Sequence, residues 1–296
     1  MEQSVPAKNV AKRSSATNMH SEDELLCNSL RVRTLSAIRN AAGGHIGSCL
    51  SLIEILYCLF FRFLRVDPLK PDNPDRDRFI LSSCQGAVAL FAVMEHRGFL
   101  PPFSLERFLG RGSELTMFPT TSISGVEITG GSLGHGIPFG IGTALSAKRS
   151  GQSYLTVALI GDGEMNEGSV WEAALAGSHL KLSNLLVIVN RNRLQIDGPT
   201  ESVMALEPVA EKWKSFGWNV QEADGHSISK IVHALNVARS NVETSASPQL
   251  LIAHTIKGRG ISFMENSLDW HYRVPTEAEY RVALKELEAV RFAEGL

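Results

Sequence analysis

The feature that most restricts the fold is a nearly unbroken apolar run, from Tyr154 to Ile160, which passes without a spacer into Gly161-Asp162-Gly163. A run with no polar alternation is buried on both faces, as a strand inside a parallel sheet is. Comparable short runs occur at Phe79-Ile80-Leu81, Leu185 to Val189, Trp218 to Val220 and Leu250 to Ala253, and helical spacing separates them. This alternation predicts a doubly wound α/β fold: a mainly parallel sheet flanked by helices, with ligands at the carboxyl ends of its strands.

Helices are expected from Glu22 to Asn40, ending at Gly43-Gly44, and from about Ser51 to Phe63. Gly134 to Ala147 holds almost only small and apolar residues and is expected to be a helix buried on most sides. Residues 1–20, rich in Ser, Ala, Asn and Lys, are expected to form a disordered leader, and residues 21–296 a single domain. No internal repeat or linker marks a second domain.

Composition excludes a few classes. With 29 basic and 31 acidic side chains and no basic stripe, a nucleic-acid partner is not expected. No apolar stretch approaches the roughly 20 residues of a membrane span, and the four cysteines have no CxxC spacing, so a cytoplasmic protein is expected.

The chemistry concentrates where strands end. Asp162 sits at the tip of the Tyr154–Ile160 strand, and Asn166-Glu167-Gly168 then opens a helix from Ser169 to Leu180. The next strand ends at Asn190-Arg191-Asn192, and a right-handed crossover brings its tip to the same sheet edge, so Asn192 can face Asp162. Two hard oxygen donors, glycine N–H groups at Gly161 and Gly163 and a helix N-terminus suit a magnesium or calcium diphosphate. A lone Gly-Asp-Gly reads equally well as a turn, with Asn192 a loop residue. A dinucleotide site is disfavoured, because no G-x-G-x-x-G follows the first strand.

The spacing of Gly161-Asp162-Gly163 and Asn192, thirty positions from acid to amide, resembles the thiamine diphosphate motif of transketolases. The similarity extends from about Glu22 towards the C-terminus. It includes Gly-Gly-His-Ile-Gly at 43–47, Arg-Asp-Arg-Phe-Ile-Leu-Ser at 76–82 and Gly-Val-Glu-Ile-Thr-Gly-Gly-Ser-Leu-Gly-His-Gly at 125–136. Lys-Trp-Lys-Ser-Phe-Gly-Trp at 212–218, Asp-Gly-His at 224–226, Lys-Gly-Arg-Gly-Ile-Ser-Phe-Met-Glu-Asn at 257–266 and Trp270-His271 complete it.

The resemblance implies that Asp162, Asn192 and the backbone carbonyl of Leu194 hold a magnesium or calcium ion. It also implies that Gly163 offers its N–H to the diphosphate, with Gly161 leaving room, and that Gly131 and Leu133 lie against the aminopyrimidine. His45 and His271 would line the reaction centre. A lone histidine is more often structural, but the motifs around these two reverse that. Glu167 would sit at a subunit interface. Taken alone, it also reads as a first-turn acid favoured by the helix dipole.

In this family the carboxylic acid beside the coenzyme's pyrimidine belongs to a second domain. Here that acid is expected from a separate C-terminal subunit, within a heterotetramer. The expected function is transfer of a two-carbon ketol or acyl unit, with a sugar phosphate or a 2-oxo acid as substrate. Two departures bear on the donor. Leu81-Ser82-Ser83-Cys84-Gln85 stands where the family usually reads Leu-Ser-Lys-Gly-His, and Met117-Phe118-Pro119 where it usually reads Gly-His-Pro. Phe118 would leave a donor hydroxyl unpaired and favour pyruvate or another 2-oxo acid, as in an acyloin-forming enzyme. Tyr272 replaces the usual glycine after His271 and crowds the same region, whereas His135 for glutamine is a mild change. Cys84 has no neighbour that would lower its pKa, so it reads as incidental. Two further alternatives are a catalytically inactive scaffolding subunit and the α subunit of a 2-oxo acid dehydrogenase.

Overall fold

Five strands hydrogen-bond side by side in the order β1-β2-β3-β5-β4, and every pair is parallel. They are β1 (Arg78–Leu81), β2 (Thr156–Gly161), β3 (Leu185–Arg191), β4 (Asn219–Asp224) and β5 (Gln249–His254). Each expected apolar run is therefore a strand. The computed structural model describes residues 10–293, with side chains from 22 to 288.

Four strands are apolar over most of their length because helices cover both faces, whereas β4, at the sheet edge, carries Asn219, Gln221, Glu222 and Asp224 and is half-buried or exposed. Phe79, Leu81, Val157, Leu159, Leu186, Ile188, Leu251 and Ala253 point into one core, and Ile80, Ala158, Ile160, Leu185, Val187, Val189, Leu250 and Ile252 into the other. The first core is closed by α1 (Val10–Ala41), α2 (Ile46–Ser51), α3 (Ile53–Tyr57), α4 (Ala87–Arg97), and later by α9 (Ile228–Thr244) and α10 (Glu277–Ala293). The second is closed by α5 (Gly136–Ser150), α6 (Gly168–His179) and α8 (Val209–Ser215), while the short α7 (Thr200–Val203) lies near the sheet's carboxyl edge. Each buried large aliphatic side chain contributes roughly 1.5–3 kcal/mol.

Three expectations need adjustment. The helix expected over Ser51 to Phe63 is broken: α2 and α3 meet at Leu52, and Cys58–Phe63 continues as a π-helical turn. Helix α5 is buried on one side only. Phe139 is 41% exposed, and a Cβ placed on Gly142 would meet nothing within 4 Å. Its small residues leave a face uncovered rather than sealed. Finally, the backbone of α1 already runs through residues 10–20, within the expected leader, while residues 1–9 lie outside the described residues. No helix among the described residues is long and apolar enough to cross a membrane.

Ile188 lies at the centre of the central strand and is fully buried. Ile188→Ala is expected to cost about 2–5 kcal/mol, read as a lower midpoint in urea unfolding. A loss under about 1 kcal/mol would contradict this packing.

Candidate functional site

The register of β2 on β3 pairs Gly161 with Asn190, so both strands reach the same sheet edge, and Asp162 and Asn192 follow immediately. Both side chains line one cleft of about 180 Å³, together with Gly161, Gly163, Leu133, Leu194, Lys257 and His271. The acid and the amide thus share one cleft at the strand ends.

Asp162 is buried, at 2% exposure. Its Oδ1 accepts the Gly163 N–H at 2.9 Å, and its Oδ2 accepts the Arg193 N–H at 2.5 Å and Arg191 Nη1 at 3.2 Å. Burial pushes the carboxyl above the usual carboxylate range, against the downward pull of the Arg193 N–H and the Arg191 guanidinium. A cation at its free lone pairs would restore the charged form. The Gly163 N–H, expected to face a diphosphate, is instead engaged by Asp162. Asn192 Oδ1 accepts the Leu194 N–H at 3.0 Å, a tight turn that brings the Leu194 residue to the cleft beside its own amide.

Among the described residues no group of three His, Cys, Asp or Glu could hold a metal. A cation here therefore needs amide, carbonyl and ligand oxygens besides Asp162. A carboxylate, an amide oxygen and a backbone carbonyl form an oxygen donor set suited to magnesium completed by phosphates, so the residues fit a metal diphosphate.

The opposite wall is assembled by close backbone approach. A Cβ on Gly47 would lie 2.8 Å from the Trp270 carbonyl and 3.2 Å from Lys257 Cγ. Glycine at 47 thus lets α2 press against both segments. The Gly258 N–H donates to the Gly47 carbonyl at 3.0 Å, and His226, from the Asp-Gly-His motif, accepts the Ile256 N–H at 2.8 Å. These bonds bring His45, Lys257 and His271 together.

Lys257 is 1% exposed, and its Nζ lies 2.8 Å from His271 Nδ1. Burial lowers the Lys257 pKa to about 8, against the attraction of Asp162. Burial, then Lys257 and His45, lower that of His271 to about 4. Near neutral pH the ammonium therefore donates to an unprotonated Nδ1, which leaves the His271 proton on Nε2. Burial and then Lys257 likewise lower the pKa of His45, and its buried Nδ1 has no hydrogen-bond partner among the described residues. The rings of His45 and His271 meet edge-on at 5.5 Å, with Tyr272 at 4.7 Å and Phe118 at 6.3 Å from His45.

Gly131 has φ +134°, open essentially only to glycine, and a Cβ there would lie 3.3 Å from Phe118 Cδ2. Glu167 is exposed at the start of α6 and makes no side-chain cap there. It is not among the residues that line the cleft. Cys84 is buried, and desolvation raises its thiol to about 11, so it is inert as a nucleophile.

Residues 22–287 match the family model described as transketolase, thiamine diphosphate binding domain. The chain belongs to the transketolase family. It is 42% identical over 264 residues to one subunit of the apulose-4-phosphate transketolase of Phocaeicola vulgatus, covering 89% of this chain and 93% of that one. With a 6-deoxy-6-sulfo-D-fructose transketolase subunit of Clostridium sp. it shares 37% over 265 residues, 88% and 94% of the two chains. The solved transketolase of Campylobacter jejuni superposes with a TM-score of 0.84 at 27% identity, over 90% of this chain and 42% of that one. The chain thus spans about two fifths of that solved transketolase but nearly all of the subunit relatives.

Three charged residues of this transketolase-family site escaped sequence reasoning. Glu164 is 3% exposed; it accepts the Ser82 hydroxyl, the Gly134 N–H at 2.8 Å and the Gly161 N–H at 3.1 Å. It thereby staples the Gly131–Leu133 turn to the tip of β2. Lys257 and Arg191 are the others. Each is a charge in an otherwise apolar or motif context, and only the position of Lys257 fourteen residues before His271 offered a signal.

The Lys257 shift has a defined sign. Between about 8 and its usual 10.5 the unfolded chain holds a proton that the folded chain has released, so the wild type gains stability as pH rises through that window. Lys257→Met is expected to lack this rise. Urea midpoints at about pH 7.5 and about pH 10 test it, and parallel changes in both proteins would refute it.

Proposed function

We propose that this chain is the diphosphate-binding subunit of a two-component transketolase that moves a two-carbon ketol unit with thiamine diphosphate and magnesium. The observation that carries this reading is the single cleft in which Asp162, Asn192 and Leu194 face Lys257 and His271 across a sheet edge. When bound, thiamine diphosphate supplies the nucleophilic carbon that takes up the donor fragment.

Asp162, Asn192 and the Leu194 carbonyl hold the magnesium ion. The Gly163 N–H, exchanged from Asp162, and the Lys257 ammonium meet the diphosphate, with Gly161 giving it room. Gly131 and Leu133 bound the aminopyrimidine. His45 and His271, both kept neutral, accept or donate hydrogen bonds to substrate hydroxyls and carry protons at the reacting centre. Glu167 lies at the partner interface.

The partner is a separate chain that bears the pyrimidine-binding domain and its carboxylic acid, in a cytoplasmic heterotetramer. The naming of relatives of similar length as subunits supports a partner. So do Phe139 and Leu175, which are 41% and 58% exposed on neighbouring helices α5 and α6. Residues 21–296 make up the thiamine diphosphate-binding domain, with residues 1–20 as its leader.

One observation favours a second reading of the donor. The Phe118 ring lies 6.3 Å from His45 in a stacked orientation, and Gln85 lines the cleft. An apolar wall there suits the methyl group of pyruvate or another 2-oxo acid better than a terminal hydroxyl.

Calorimetry of thiamine diphosphate with Mg²⁺ is expected to show binding to the chain paired with its companion, and no binding to the Asp162→Ala variant. Comparable binding by both would sink the site assignment, and absence of binding by the wild-type pair would favour a scaffolding role. In the same complex, Phe118→His is expected to raise the use of fructose 6-phosphate relative to pyruvate about tenfold, from roughly 1–3 kcal/mol of recovered hydrogen bonding. A wild type that already strongly prefers the ketose phosphate, unchanged by the substitution, would eliminate the 2-oxo acid reading.

A further inference from the structure

Arg191 closes β3 immediately before Asn192, and its side chain is 1% exposed. A buried guanidinium needs carboxylate partners, and this one divides its fork between two regions. Nη1 donates to Asp162 Oδ2 at 3.2 Å and to Thr200 Oγ1 at 2.8 Å, while Nη2 donates to Glu201 at 3.1 Å and Glu207 at 2.8 Å.

Those acceptors beyond Asp162 belong to one segment that wraps the guanidinium. Glu201 also accepts the Leu206 N–H at 3.2 Å, Glu207 accepts the Val209 N–H at 2.9 Å, and the Thr200 N–H returns to the Arg193 carbonyl at 2.9 Å. The same segment pairs Leu194 with Pro199. The fork thus joins the acid at the tip of β2 to the loop that carries Leu194. With Asp162 Oδ2 taken by Arg191 and the Arg193 N–H, Oδ1 is the oxygen with spare capacity towards the cleft. Three carboxylates around one guanidinium also prevent Arg191 from repelling a divalent ion nearby.

We infer that Arg191 is a positioning residue of the cation site: it clamps Asp162 to the Pro199–Glu207 segment, so that Oδ1 of Asp162 and the Leu194 carbonyl are presented together. This rests on the reading of Asp162 and Asn192 as cation ligands. The clamp requires a planar fork, so a lysine's single ammonium does not replace it.

The test is titration of Mg²⁺, at saturating thiamine diphosphate, into the full chain paired with its companion, with Mn²⁺ electron paramagnetic resonance reporting the symmetry of the bound ion. Arg191→Met is expected to weaken Mg²⁺ binding by roughly tenfold or more and to broaden the Mn²⁺ signal. Arg191→Lys is expected to recover only part of the loss. Should Arg191→Met not fold, Glu207→Gln removes one exposed arm of the clamp and is expected to weaken Mg²⁺ binding by about threefold. Absence of Mg²⁺ binding by the wild-type complex would defeat the reading of the cleft itself. Wild-type binding that folded Arg191→Met or Glu207→Gln reproduces within about twofold would overturn the clamp alone.

Discussion

Burial of both faces of a parallel sheet governs the rest of the molecule. Once alternate residues of β2 and β3 are committed to two separate apolar cores, polar chemistry has room only where the strands run out. Asp162 and Asn192 occur at those ends. Their proximity follows from the Gly161–Asn190 pairing, which in turn follows from the in-register packing of Val157, Leu159, Leu186 and Ile188.

The same constraint makes the charges near the cleft costly, and the fold compensates each one to a different degree. Glu164 is held by a hydroxyl and two backbone N–H groups, and Arg191 by three carboxylates and a hydroxyl. Among the described residues Lys257 has only a histidine nitrogen as hydrogen-bond partner, with Asp162 acting at a distance, and burial lowers its pKa to about 8. Least compensated among these three, it stands where an anionic ligand would stabilise it most. A weakly compensated charge and spare oxygen donors therefore line one cavity, which is the physical basis of the proposed metal diphosphate site.

The uncovered face of α5 belongs to the same logic. Its glycines and apolar residues look like the composition of a helix enclosed on most sides, yet Phe139 and Leu175 stand exposed on adjacent helices. Composition reports that a surface avoids water; it does not say whether the covering group is part of the same chain.

The sequence by itself located the five strands and the sheet edge at which Asp162 and Asn192 lie, because burial of both faces writes an apolar run in β1, β2, β3 and β5 and the crossover has one hand. It also carried the family resemblance, through motifs whose residues are neighbours in the chain. Only the tertiary structure decided the engagement of the Gly163 N–H by Asp162, the break at Leu52 and the partners of Glu164, Lys257 and Arg191. The partners of Glu164 and Arg191 come from separate turns and strand ends, such as Ser82 for Glu164 and Asp162 for Arg191. A buried charge is identified by what surrounds it in space, and no local periodicity or spacing encodes that.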